Sequence, residues 1–242
     1  MTYSIVTPIA GSNQPGFLNT IDTVAAHQIG LKIVGVDPYF GLADFIYVQF
    51  PASAAITSGQ VLYLSGVGSV GNSASVAPNT ANTGRMIAVA INPVASVAAI
   101  QYGWVQLEGS AVVRAVASVA AGASVGIDAT TGGSVNAMTA GRQLTPCVSL
   151  APSTNTVVKT NTQTQSGSPI ISTQDSNGWF IGITLSGTDI PGGATVIGLD
   201  ADNRRATMSA NATATGSVSV TGTFTGFIVA HIATTSVQGQ IT

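Results

Sequence analysis

Gly122-Ala123-Ser124-Val125-Gly126 has the G-x-S-x-G spacing of a nucleophile elbow, and an aspartate followed by His231 lies downstream in hydrolase order. That spacing does chemistry only where a strand turns sharply into a helix and lifts the serine hydroxyl above a sheet. Here Ser124 runs into Ile127-Asp128 and then the turn-forming stretch from Ala129 to Ser134. The segment predicts a turn entering a short strand, and leaves an esterase-like use of Ser124 as the weakest of three functional readings. Gly66-Val67-Gly68-Ser69-Val70-Gly71 matches G-x-G-x-x-G, whose glycines admit a pyrophosphate at a helix N-terminus. The Ser/Ala/Asn stretch that follows is no helix, so the glycines predict a hairpin tip.

Other reactive types are isolated. Asp200-Ala201-Asp202-Asn203 clusters oxygen donors for a hard cation but lacks the glycine and distal glutamate of a calcium loop, and reads as a polar turn. His27 and His231 are far apart and have no cysteine beside them, against a zinc site. Glu108 is the only glutamate, so no glutamate pair can share acid and base roles. The single Cys147 has no disulfide partner and reads as a small buried apolar residue of a protein made in a reducing cytosol. These residues point to no enzyme, no cofactor and no metal.

Charge is the unusual axis of the 242-residue chain: 7% of residues are Asp, Glu, Lys or Arg, against roughly 25% in ordinary soluble domains. A surface built from hydroxyls, amides and small apolar groups lacks the repulsion that keeps free monomers apart, which predicts an assembly component covered by partners. The net charge of −2 and seven cations, scattered except for the Arg204-Arg205 pair, offer no basic patch for nucleic acid. The N-terminus lacks a secretory pattern, and Arg114 and the Asn92-Pro93 step interrupt the most apolar stretches, so no membrane span is expected.

The elements that must carry these residues read as strands. FIYVQF from Phe45, QVLYL, MIAVAI, WVQLEG, AVVRAV, SVGID and LTPCVSL are short and rich in valine, isoleucine and aromatics. Gly, Asn, Ser and Pro clusters separate them at the spacing of barrels and sandwiches. Residues 1–36 read as an extended, Gly/Pro-punctuated arm with one short stretch, Asn19 to Gln28, that could form a helix. Residues 151–169 are small and polar and read as a linker. Beyond them GWFIGITLSG, DIPGGATVIGLD, RRATMSA, GSVSVTGTF and FIVAHI predict a second β module, with Asn203 and Arg204-Arg205 at a hairpin tip. Aromatic area concentrates at strand starts, in Tyr39, Phe40, Phe45, Tyr47, Tyr102, Trp104 and Trp179. Core filling is its ordinary use, and Tyr39, Phe40, Tyr102 and Trp104 are the candidate interface anchors.

Several of these strings also resemble a known family. Gln28-Ile29-Gly30-Leu31, Asp37-Pro38-Tyr39-Phe40-Gly41 and Asp44-Phe45-Ile46-Tyr47-Val48 are similar to a pattern of small phage head proteins, with Asp44 where the pattern carries glutamate. Gly59-Gln60-Val61-Leu62, Ala88-Val89-Ala90, the segment Gln101-Tyr102-Gly103-Trp104 through Val113, and Ala121 to Val125 continue it. Ser186 to Val196 and Arg204 to Gly216 resemble a second virion pattern that also occurs in tail and fibre proteins, and Val237 to Thr242 resemble the end of the first. The resemblance spans about residues 28–242, and its most specific part is the Tyr-Gly-Trp segment.

It implies an all-β capsid decoration (cement) protein of a tailed bacteriophage. The implied architecture is an arm over 1–36, a β-barrel or sandwich core over 37–155 completed by a last strand within 224–242, and a small β-sandwich-like module over 156–223 inserted near the C-terminus. The implied role is to bridge major capsid protein subunits on the outside of the shell as a homotrimer, after synthesis in the host cytoplasm. The competing expectation is a tail, baseplate or fibre component that binds a host-surface glycan on Trp179 or Tyr102.

Overall fold

The computed structural model describes residues 4–5, 18, 20–37, 40–66, 73–116, 119–150, 153–174, 179, 182–200 and 204–238. Among them there is no helix, and the chain is all-β. It divides into two compact units, one of residues 154–225 and one formed by the chain on either side, 3–153 with 226–242. The small unit is thus an insertion between two stretches of the large one.

The large unit carries β1 (Ser4–Ile5), β2 (Ile21–Asp22), β3 (Lys32–Asp37), β4 (Gly41–Phe50), β5 (Val61–Ser65), β6 (Ser73–Val76), β7 (Ile87–Ala90), β8 (Gln101–Arg114), β9 (Ser124–Ile127), β10 (Val135–Ala137) and β11 (Gln143–Ser149). After the insertion it ends with β18 (Phe227–Gln238). All twelve belong to one sheet that folds into two rings sharing β8. In the first ring β4, β6, β5, β7 and β8 follow one another, and β8 pairs back onto β4. In the second, β8, β18, β11, β9 and β10 follow one another, and Val135 of β10 bridges Ala115 just past the end of β8.

One residue lets a single strand serve both rings. β8 pairs β4 from Gln101 to Glu108 and pairs β18 from Gly109 to Arg114. Gly109 at the switch has φ +101°, and a Cβ there would lie 3.0 Å from the Ala43 Cβ. Only glycine takes that backbone at such close approach. The strands expected at WVQLEG and AVVRAV are parts of this one continuous strand.

Between the rings, β5 and β7 are apolar on both faces. Leu62, Leu64, Ala88 and Ala90 point into the first core with Ile46, Val48, Phe50, Val105 and Leu107. Val61, Tyr63, Ile87 and Val89 point the other way, into a second core with Val113, Val125, Ile127, Leu144, Cys147, Ile228, Ala230 and Ile232. The period-2 alternation of strand side chains makes this possible, and explains why VLYL and IAVA read as unbroken apolar runs.

The small unit contains β12 (Thr154–Thr164), β13 (Ile170–Ser172), β14 (Thr184–Gly187), β15 (Val196–Asp200), β16 (Arg205–Met208) and β17 (Gly216–Thr225). They form one sheet in the order β14, β17, β12, β13, β16, β15, and a bridge between Thr184 and Thr195 brings its two ends together. Trp179 fills its core at 1% exposure and donates its indole N–H to the Val157 carbonyl at 3.2 Å. Gly222 admits the ring: a Cβ there would stand 2.6 Å from the indole nitrogen.

Three expectations are corrected. Residues 20–28 form no helix; Ile21 and Asp22 pair Gly103 and Tyr102 of β8 instead. The arm boundary at 36 falls inside β3, which pairs β4 over its whole length; most of residues 1–19 lie outside the described residues. The polar stretch 151–169 is no linker, because 154–164 is β12, the strand between β17 and β13. Its threonines and valines are β-branched and suit a pleated surface, and Asn161, at φ 53°, marks the bulge between Lys159 and Thr162.

Candidate functional site

The residues singled out for chemistry do not converge. Ser124 is exposed at the start of β9, entered through a turn with Gly122 at φ +78°. Ser124 and His231 both stand opposite Val148, one on each side of β11. Two strand spacings, about 9.5 Å, therefore separate their backbones, too far for the histidine to take the serine proton directly. Of the glycine-rich run only Gly66 is described, and of the Asp200 to Asn203 cluster only Asp200; the rest lies outside the described residues. No group of three metal-ligating side chains occurs among the described residues. Burial pushes the Cys147 thiol up to about 12, which keeps it protonated and inert.

The aromatic anchors separate as well. Tyr39 lies outside the described residues, and Phe40 and Tyr102 are half-buried. Trp104 is 2% exposed and fills the core, with its ring centroid 5.2 Å from Tyr47 and 5.4 Å from His27. Tyr47 and Trp104 stand directly opposite each other on β4 and β8, so their side chains share a face. The stretch after β2 covers that face. Tyr47 donates its hydroxyl hydrogen to Asp22 Oδ2 at 2.6 Å and accepts the Ala26 N–H at 3.1 Å. Burial, then the bond to Asp22, pushes the Tyr47 hydroxyl above its ordinary pKa. These aromatics hold a strap down. Trp179, offered as a glycan platform, is enclosed in the small unit and presents no ring to solvent.

A second polar cluster is also architectural. Asp128 Oδ2 accepts the amide and hydroxyl of Thr130 at 2.8 and 2.6 Å and the amide of Thr131 at 2.8 Å, while Oδ1 accepts Asn136 Nδ2 at 3.1 Å. Burial alone would raise this carboxyl, but these donors outweigh it and hold the pKa at about 2. The result is a fixed turn between β9 and β10.

What the large unit does present is a sheet face. In antiparallel register Ser124, Val148, His231 and Ser110 form one rank across β9, β11, β18 and β8. In β18 and β8, Val229 opposes Val112 and Phe227 opposes Arg114. The Leu150 N–H bonds to the Val229 carbonyl at 2.6 Å, which sets Leu150 beside these ranks. The opposite face of these strands is the core, so the ranks point outward. Leu150 is 53% exposed and Val148 38%. The Arg114 guanidinium lies over the Phe227 ring at 5.2 Å, and its Nε has no hydrogen-bond partner. This face is mostly apolar, with one histidine and one arginine as its charge-bearing groups. Sequence reasoning missed it because LTPCVSL and FIVAHI carry no mark of which face a second layer covers.

No family model, curated protein or solved structure matches the chain.

Proposed function

We propose that the protein is a non-enzymatic structural component of a phage particle, a decoration protein that binds the outer surface of the capsid as a homotrimer and bridges major capsid protein subunits. The observation that carries the reading is the outward face of β8, β18 and β11, where Val148, Leu150, Val229, Val112 and Phe227 meet solvent in a chain with 7% charged residues. A contiguous apolar face on a stable scaffold marks a contact surface. Covering it desolvates few ions and leaves few polar groups unpaired, so a protein shell can sit on it at little cost. The resemblance of the Tyr102-Gly103-Trp104 segment to phage head proteins supplies the particle. That segment lies on β8, the strand both rings share.

The test is co-sedimentation with expanded capsids that lack the protein, followed by heating. Wild-type protein is expected to pellet with the shells and raise the temperature at which they rupture. Leu150→Asp, which places a charge beside the ranks of the face without touching either core, is expected to stay in the supernatant while keeping its own melting temperature. Failure of the wild type to pellet, or equal pelleting of the variant, overturns the proposal. Immunogold labelling that finds the protein on tails favours the glycan-binding alternative.

A further inference from the structure

The small unit carries a polar ledge that the decoration role does not use. Directly opposed residues run in one rank across it: Ser217 on β17, Gln163 on β12, Ser172 on β13, Arg205 on β16 and Asp200 on β15. Opposed residues share a sheet face, and Gln163, Ser217 and Arg205 are exposed. Gln163, Ser172 and Arg205 of this rank, together with Gln165, Ile170 and Thr215, border an open groove of about 550 Å³, within the size range of small-ligand sites.

The lining is partly preset. Gln163 Nε2 is spent on the Asn161 carbonyl at 3.2 Å and the Ser217 hydroxyl at 2.9 Å, which leaves its Oε1 as an acceptor. Thr215 Oγ1 accepts the Ser166 N–H at 2.9 Å, which leaves its hydrogen to donate. Among the described residues, the side chains of Gln165, Ser172 and Arg205 have no hydrogen-bond partner. Arg205 is the only charged residue lining the groove, with Asp200 opposite it on β15 outside that lining, and Ile170, 45% exposed, is the only large apolar one.

We infer that this groove binds a saccharide chain bearing a carboxylate, of the uronic-acid class. Between them its amides and hydroxyls give and take hydrogen bonds, Gln163 as an acceptor and Thr215 as a donor, which suits a polyol whose hydroxyls do both. The planar guanidinium of Arg205 matches a carboxylate with two parallel bonds, and Ile170 offers a surface to the C–H face of a sugar ring. Other ligands fit worse. One cation is too few for a nucleic acid backbone, and the groove has no aromatic ring for a base to stack on. An extended peptide adds to a free sheet edge, whereas here both ends of the sheet meet at the bridge between Thr184 and Thr195. The inference stands apart from the capsid proposal, since free protein tests it.

The experiment is titration of the intact chain with trigalacturonic acid, its methyl ester and acetate, followed by calorimetry and by ¹⁵N chemical shifts. Trigalacturonic acid is expected to bind saturably, with shifts confined to residues around 163–172 and 205. Arg205→Gln is expected to weaken it about tenfold or more, as loss of a charged hydrogen bond does. The methyl ester on wild type is expected to match the acid on Arg205→Gln, and Gln165→Ala is expected to weaken both sugars. Arg205→Lys is expected to fall between wild type and Arg205→Gln, and unchanged melting temperatures tie each loss to the groove. Three results overturn the inference: no saturable binding, equal affinity for the acid in Arg205→Gln, or acetate binding as tightly as the trisaccharide.

Discussion

Asp128 ties the stability of the large unit to pH in a way that can be worked from its hydrogen bonds. Four bonds from Thr130, Thr131 and Asn136 converge on one carboxylate at 5% exposure, and its pKa falls from 3.8 to about 2. Because the folded-state pKa is the lower one, the ionised group stabilises the fold at pH values above the unfolded value of 3.8, and that contribution is lost as pH falls toward about 2. At 1.36 kcal/mol per pKa unit the full contribution is about 2 kcal/mol, of which about two thirds is gone by pH 2.5. Asp128→Asn keeps the shape but not the charge, and its amide cannot accept four bonds. The assay is urea unfolding followed by the fluorescence of Trp104 in a Trp179→Phe background, at pH 7 and pH 2.5, with and without Asp128→Asn. The substitution is expected to cost about 2 kcal/mol at pH 7 and less than about 1 kcal/mol at pH 2.5. Equal cost at both pH values would refute the reasoning, because the carboxylate would then owe nothing to its donors.

Two further substitutions probe packing. Tyr47→Phe removes the bonds to Asp22 and Ala26 and leaves the ring in place; it is expected to cost about 1–3 kcal/mol. Faster amide exchange confined to residues 21–30 is the check, and uniform acceleration across the large unit would count against a local strap. Gly222→Ala drives a methyl group toward the Trp179 indole, 2.6 Å from its nitrogen, and is expected to destabilise the small unit by about 1–3 kcal/mol through overpacking. Trp179 fluorescence in a Trp104→Phe background measures it, and an unchanged midpoint would mean that the ring has room to move.

The strands that alternate or run apolar between turn residues were legible, because burial demands that pattern: FIYVQF, VLYL and IAVA become β4, β5 and β7. The candidate contact face was not. Val148 and Leu150 look like any other strand residues, and their exposure follows only from β5 and β7 covering the opposite side of β11 and β18. Trp104 and Trp179 were legible as large apolar area, but that both are enclosed rather than presented came from their neighbours.

By itself the sequence determined an all-β chain with little charge, since period and composition are local properties. Tertiary structure decided the rest. It made Thr154–Thr164 a strand by supplying β17 on one side and β13 on the other, although its run of threonine, asparagine and glutamine has little apolar signal. It replaced a plausible helix at 20–28 with a strap, because Asp22 and Ala26 find the Tyr47 hydroxyl only once β4 and β8 are side by side. It also set Ser124 and His231 on opposite sides of β11. Each outcome depends on contacts between residues distant in the chain, and no local pattern of residues encodes which distant strand will be the neighbour.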